Sequence, residues 1–315
     1  MNIFSNMINY SIIIPHYNIP DLLARCLRSI PERDDVQVIV VDDNSPGHEN
    51  YLGTIPELSR KNVEFYATVD GLGAGHARNI GLQHAKGKWL IFSDSDDFFV
   101  DDISEILDQY INDVHDIIYF NIKSCDSYDI SRQIPSNKDR LFNEYESSGN
   151  ELIFRVGYTE PWGKIIRHQL IVDNGISFQE TLGHNDLLFS IMAGVKARTI
   201  DTINRPMYWY VIREGSLGHQ KGMESINKIQ DRIIAWKSTQ DFLETEHIGL
   251  KLYLPAIPCI KVLRKSILMF PKLMRISTNV GCNNFYIMWS IIRYYFNKLF
   301  KKKYGIGIDY HLIKK

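Results

Sequence analysis

Three carboxylates fall within four residues at Asp94-Ser95-Asp96-Asp97, after the apolar run Trp89-Leu-Ile-Phe92 and Ser93. Such a cluster repels itself and has no place in a core unless a cation or hydrogen-bond donors neutralise it. At the C-terminal end of a strand in an α/β sheet, the edge where ligands bind, the neutraliser that fits hard oxygen ligands is a divalent metal, Mn²⁺ or Mg²⁺. One or two carboxylates usually share that metal with substrate phosphates. The chemistry implied is nucleotide handling. The same residues also suit a polar strand-to-helix loop in which Asp97 or Asp101 caps the helix.

Two other polar loops follow apolar runs. Tyr10-Ser-Ile-Ile-Ile-Pro15 reads as a buried first strand and leads into His16-Tyr17-Asn18. Val36-Gln-Val-Ile-Val-Val41 reads as a second strand and leads into Asp42-Asp43-Asn44-Ser45. Pro20-Asp21 opens a helix carrying Leu22, Leu23, Cys26, Leu27 and Ile30 at helical spacing. Val63 to Ala67 is a third strand, Ala74 to Ala85 a helix ended by Gly87, and Lys88 to Ser93 a fourth strand. This order predicts a mostly parallel, Rossmann-like sheet with right-handed crossovers, flanked by helices. The three loops then meet at one edge and build one crevice from distant sequence.

The turn Gly71-Leu-Gly73-Ala-Gly75-His-Ala-Arg78 echoes a dinucleotide fingerprint but lies between the third and fourth strands, where that fingerprint does not belong. Glycines there let backbone approach a ligand, and Arg78 can offer a phosphate a forked donor set. An exposed Arg on a flexible loop is the competing reading. His16, His76 and His84 share no ligand spacing and read as structural or solvated.

In order and spacing, Ser11-Ile-Ile-Ile-Pro-His-Tyr-Asn18, Val40-Val-Asp-Asp-Asn-Ser45, Gly71 through Gly81 and Phe92-Ser-Asp-Ser-Asp-Asp-Phe98 resemble the motifs of glycosyltransferase family 2. The resemblance covers about the first 100 residues. It implies a GT-A fold, a nucleotide-sugar donor (UDP-linked in the commonest case), a divalent metal, and inversion at the anomeric carbon. Pro15 and Tyr17 would line the nucleoside pocket. Asp43, with Asp42, would contact the base, Arg78 the diphosphate or base, and Asp94 the ribose. Asp96 would ligate the metal.

On the acceptor side, Glu160-Pro-Trp-Gly-Lys164 resembles the segment that precedes the family's acceptor site. It reads as strand, with Trp162 either stacking on a sugar or packing in the core. Asn185-Asp186 stands where the family has Glu-Asp, and the aspartate is carried over as general base. Inverting transfer needs one carboxylate to take the acceptor hydroxyl's proton; a first-turn carboxylate facing a helix dipole is the plainer role for Asp186. Tyr208 to Ile212 followed by Arg213-Glu-Gly-Ser216 resembles the family's strand and Arg-x-Gly-Ser. There Arg213 would grip the diphosphate or a loop, and His219 would complete the metal shell.

The 315 residues suit a catalytic domain over 1–220 and a helical region over 221–315. Lys261 to Lys315 carries 12 Lys or Arg and one acid, Asp309, so a +11 tail hangs on a body of −12. Asn284 to Lys303 spaces Phe285, Met288, Trp289, Ile292, Tyr295, Phe296 and Leu299 by three and four. Aromatics and basic residues on one helix fit an anionic membrane surface or a cap on the catalytic domain. Nucleic acid is disfavoured, because no recognised binding fold accompanies the charge. Four scattered cysteines, no membrane-length apolar run and no secretory pattern fit a cytoplasmic enzyme, peripheral on the inner face of the membrane. The expected acceptor is a glycan or lipid-linked glycan of a surface polysaccharide or lipopolysaccharide. The rival readings are a nucleotidyltransferase, which lacks its Gly-Arg-Lys loop here, and a non-catalytic sugar-nucleotide binder.

Overall fold

β-Branched and aromatic runs bounded by proline, glycine and aspartate set the strands. The computed structural model describes residues 7–136, 138–213, 226–250 and 270–279, with 281, 285, 288, 289 and 292. The chain divides into two units: Met1–Glu180 with Phe189–Glu214, and Thr181–Leu188 with Gly215–Lys315.

In the first unit, β1 (Tyr10–His16) lies between β2 (Val36–Asp42) and β4 (Trp89–Phe92), with β3 (Val63–Ala67) outside β2. All three pairings are parallel, and Ile13 sits opposite both Ile39 and Phe92. Every residue of β1, β2 and β4 is buried. Such strands are covered on both faces and read as continuous apolar runs rather than alternating ones. The crossover helices are α1 (Pro20–Arg28), after which α2 (Tyr51–Thr54) makes one short turn, and α3 (Ala74–His84). Helix α3 lies close on the sheet at Gly81, where a Cβ would fall 2.4 Å from Ile13 Cγ2.

The parallel arrangement gives way to a mixed one in the other half of the sheet. After β5 (Phe98–Phe99) and α4 (Ile103–Tyr110) come β6 (Ile117–Asp126), β7 (Gln133–Ile134), α5 (Asp139–Ser148), α6 (Leu152–Gly157), β8 (Lys164–Arg167), α7 (His168–Asp173), α8 (Asn185–Lys196) and β9 (Ile200–Ile212). Strand β8 runs antiparallel to both β4 and β6, β9 parallel to β6, and β5 antiparallel to β9. The expected strand at Glu160-Pro-Trp-Gly begins only at Lys164. Gly163 has φ +68°, which breaks the extended run, and a Cβ there would lie 2.1 Å from Tyr158 Oη. Phe92, Phe178 and Phe189 close the core over β4, the last two stacked at 3.8 Å between centroids.

The second unit contains α9 (Ile226–Thr245), inside the helix expected from Met223, and α10 (Phe270–Asn279). Phe285, Met288, Trp289 and Ile292 are helical and exposed. Among the described residues no helix is long and apolar enough to cross a membrane. His219, the expected boundary near 220 and most of the basic tail lie outside the described residues.

Candidate functional site

The loops after β1 and β2 are held by a buried knot. Ser45 donates its amide to Asp42 Oδ1 and its hydroxyl to Asp42 Oδ2, each at 2.7 Å. His16 Nε2 accepts the Ile19 amide at 3.2 Å, so the ring's proton sits on Nδ1 and is donated to Asp42 Oδ2 at 2.7 Å. The Asn18 amide donates to Ser45 Oγ, joining the two loops. Burial opposes the Asp42 charge; the hydrogen bonds from His16 and Ser45 outweigh it and hold the carboxyl below its ordinary range. Asp42 is fully enclosed, so its side chain shapes the loops from below. Asp43 is 7% exposed and accepts the Gly73 amide at 2.8 Å, which ties the glycine turn to the end of β2. Gly71 and Gly73 both have positive φ, +60° and +95°, the backbone state that only glycine adopts without strain. Pro15 is buried within β1, and Tyr17 beyond it is exposed.

The acidic turn follows β4. Asp94 and Asp96 are partly exposed and Asp97 is buried. Among the described residues, three guanidinium groups reach this turn. Arg78 Nη2 lies 2.5 Å from Asp94 Oδ1, with its guanidinium over the Phe178 ring. Arg213, directly after β9, places Nη2 and Nε 3.2 and 3.4 Å from Asp96 Oδ2. Arg25 of α1 donates to the Asp96 carbonyl at 2.5 Å. Burial and the neighbouring Asp94 charge push the Asp96 carboxyl above its ordinary range in spite of Arg213. Asp97 is driven well above that range, by burial first and then by Asp96 and Asp94. It meets the Tyr208 hydroxyl at 2.8 Å and accepts the Val211 amide at 2.7 Å. Tyr208 Oη also accepts the Asp94 amide at 2.9 Å. The third carboxylate is therefore neither a surface ligand nor a helix cap. It anchors the turn to β9.

Asp94 and Asp96 present partly solvated carboxylate oxygens, paired with Arg78 and Arg213. That hard donor set fits an octahedral oxygen-seeking cation. A second group of ligand atoms, from Asp113, His115 and Asp201, lies within 4.8 Å of one another. Those residues stand where β6 and β9 begin, at the opposite edge of the sheet from the acidic turn.

On the other half of the sheet Trp162 is 5% exposed and stacks on Tyr208 and Tyr210. Its packing role is thus filled by the protein's own rings. Lys138, nearly buried, ion-pairs with Glu160 and lies over the rings of Tyr158 and Trp162. Burial raises Glu160, and Lys138 outweighs it and keeps the carboxyl lowered. Asn79 of α3 clamps the irregular stretch before α8, accepting the Phe178 amide at 2.8 Å and donating to the Phe178 carbonyl at 2.9 Å and to Glu180 at 3.1 Å. In the second unit, Asp186 lies in the first turn of α8, and the preceding Leu182 amide donates to Asp231 of α9.

Sequence reasoning missed Tyr208, Arg25, Lys138 and the anchoring task of Asp97. No local spacing signals them, because each acts across more than 20 residues of chain. Only the aromatic run Tyr208-Trp-Tyr210 at the end of a strand hinted at the first.

Residues 11–169 match the family described as glycosyl transferase family 2. The chain is 30% identical over 219 residues to the poly(ribitol-phosphate) beta-N-acetylglucosaminyltransferase TarS of Staphylococcus aureus, covering 66% of this chain and 36% of that protein. It is 27% identical over 215 residues to a poly(ribitol-phosphate) beta-glucosyltransferase of Bacillus spizizenii, covering 64% of this chain and 32% of the relative. The chain thus spans about a third of these relatives. Its fold is similar to that of S. aureus TarS 1-349 in complex with UDP-GlcNAc, with a TM-score of 0.62 at 19% identity, covering 86% of this chain and 80% of that one. The matched structure shares the GT-A type of mixed α/β fold, and the family match over residues 11–169 shows that the chain belongs to glycosyltransferase family 2.

Proposed function

We propose that this enzyme transfers a sugar from a UDP-linked donor to a hydroxyl of a polyol-phosphate or other glycan polymer of the cell surface, with inversion. The observation that carries the donor side is the acidic turn at the sheet edge with two arginines on its carboxylates. Tyr17 is free to lie on the base, Asp43 and the glycine turn bound the nucleoside pocket, and Asp94 reaches the ribose. Asp96 would hold the divalent ion, whose chemistry there would be to offset charge on the diphosphate as the glycosidic bond breaks. Arg78 and Arg213 are the protein's own cations for that leaving group.

Asp186 is the general base. It accepts the acceptor hydroxyl's proton as that oxygen attacks the anomeric carbon opposite the diphosphate. Its support is its place in the motif order and in the first turn of α8. The acceptor class rests on the relatives that act on poly(ribitol-phosphate). The test is transfer from UDP-sugars to poly(ribitol phosphate) by wild type and by Asp186→Asn. Loss of transfer with donor binding retained supports the assignment, and full transfer by Asp186→Asn overturns it.

The second unit adds a place of work. Phe285, Met288, Trp289 and Ile292 fall at helical spacing, all exposed, in a segment whose sequence carries +11 over 261–315. An exposed apolar stripe amid cationic residues suits the headgroup layer of an anionic membrane on the cytoplasmic side. Full-length protein is expected to co-sediment with phosphatidylserine-containing vesicles and not with pure phosphatidylcholine. Trp289→Glu together with Ile292→Glu is expected to abolish it. Vesicle binding unchanged by the double substitution would remove the stripe from the interface, and concentration-dependent dimerisation without vesicle binding would assign it to a second copy.

A further inference from the structure

Among the described residues, the charges at the acidic turn are already matched before a ligand enters. Three carboxylates and three guanidinium groups meet there. One of each is fixed by main-chain and hydroxyl partners: Asp97 by Tyr208 and the Val211 amide, Arg25 by the Asp96 carbonyl. The other four form two direct pairs, Arg78 with Asp94 and Arg213 with Asp96. These two pairs sum to zero charge. A nucleoside-diphosphate sugar carries two negative charges on its phosphates, and a divalent cation carries two positive ones, so that complex is neutral as well.

We infer that the site works by ion exchange: Arg213 occupies the cation's place on Asp96, and donor and cation enter together while the arginines pass from the carboxylates to the diphosphate. This rests on the donor and metal roles proposed above and adds a coupling to them. A cation arriving alone must displace Arg213 from Asp96 and leave a guanidinium without its counter-ion. A diphosphate arriving alone draws the arginines away and leaves Asp94 and Asp96 to repel each other across the turn. Only the joint arrival keeps every charge matched. Each ligand therefore raises the other's affinity by the same factor. Arg213 suits the exchange because its side chain is about one-third exposed and stands at the end of β9, so it can swing without disturbing the core. Arg78 is nearly buried and has less freedom, so the cation's stand-in is Arg213.

The test is calorimetric and spectroscopic binding to the full chain, with no turnover. Mn²⁺ alone, UDP alone and Mn²⁺ at saturating UDP are titrated into wild type, with free Mn²⁺ followed by electron paramagnetic resonance. In wild type, UDP is expected to tighten Mn²⁺ binding at least tenfold. Arg213→Gln is expected to bind Mn²⁺ alone at least threefold more tightly than wild type, to bind UDP more weakly, and to show a smaller coupling factor. Arg213→Lys, which keeps the charge but not the fork, is expected to fall between. Mn²⁺ alone binding Arg213→Gln no more tightly than wild type overturns the exchange and leaves the metal and donor roles standing. A wild-type coupling below threefold overturns it without reference to any variant. Failure of wild type to bind Mn²⁺ even with UDP present removes the metal role and the exchange together.

Discussion

Charge sets most of what single residues do here. Asp96 and Asp97 are adjacent and chemically identical, yet one is left partly solvated against an arginine and the other is enclosed by Tyr208 and Val211. Asp96→Ala is expected to abolish metal-dependent donor binding in calorimetry while leaving the melting temperature close to that of wild type. Asp97 behaves oppositely. An Asn there still accepts from the Val211 amide and can donate to Tyr208 Oη in place of accepting its proton, so Asp97→Asn is expected to cost less than Asp97→Ala. Asp97→Ala orphans two buried polar groups, and each such loss costs about 1–3 kcal/mol. Chemical denaturation of the two variants checks this; equal losses would show that Asp97 acts through its charge. Asp186→Asn is expected to lower transfer by about 10²–10⁴-fold, the range for a lost general base, with UDP affinity unchanged. The carboxylates themselves were legible in the sequence, because their crowding demands a neutraliser. Their division of labour was not, since the residues that separate Asp96 from Asp97 arrive from β9, more than a hundred positions away.

At the scale of elements, local pattern and long-range packing had different visibility. β1 through β4 and α1 and α3 were readable to within a residue or two, because fully buried parallel strands are unbroken apolar runs and helices between them keep their 3.6-residue period. The Glu160-to-Gly163 stretch misled, because its apolar residues pack in a turn and Gly163 must take positive φ beside Tyr158. Trp162 was visible as an aromatic able to stack, and the tyrosines of β9 are what it stacks on. Close approach of elements is equally invisible in sequence. In α8, a Cβ on Gly194 would sit 2.1 Å from the Arg155 carbonyl. A solvent-facing helix would gain roughly 1 kcal/mol from Gly to Ala, but Gly194→Ala is expected instead to destabilise by about 1–3 kcal/mol as α6 and α8 are forced apart. A stabilised variant in urea denaturation would contradict that packing.

For the whole molecule, composition and charge asymmetry pointed to an acidic catalytic body and a basic tail, and no local motif in the tail says what it touches. The body's acidity has a pH consequence. Burial opposes the charges of Asp35 and Asp42, but Arg33 and Asn9 for the first, and His16 and Ser45 for the second, hold both carboxyls lowered. A carboxylate lowered in the folded state contributes stability above the unfolded value of about 3.9, and that contribution is lost as pH falls through the folded value. The melting temperature is thus expected to fall as pH drops below about 4, and to fall less steeply in Asp42→Asn; parallel curves would exclude Asp42 as a source. The central claim is that a metal-assisted nucleotide-sugar site is built on the acidic turn after β4. Its most direct test is calorimetric titration of UDP into the full chain with and without Mn²⁺, beside GDP, CDP and ADP. Tight UDP binding that requires Mn²⁺ and that the other nucleotides do not match is the predicted result. Binding of none of the four, or UDP binding indifferent to the metal, would contradict it.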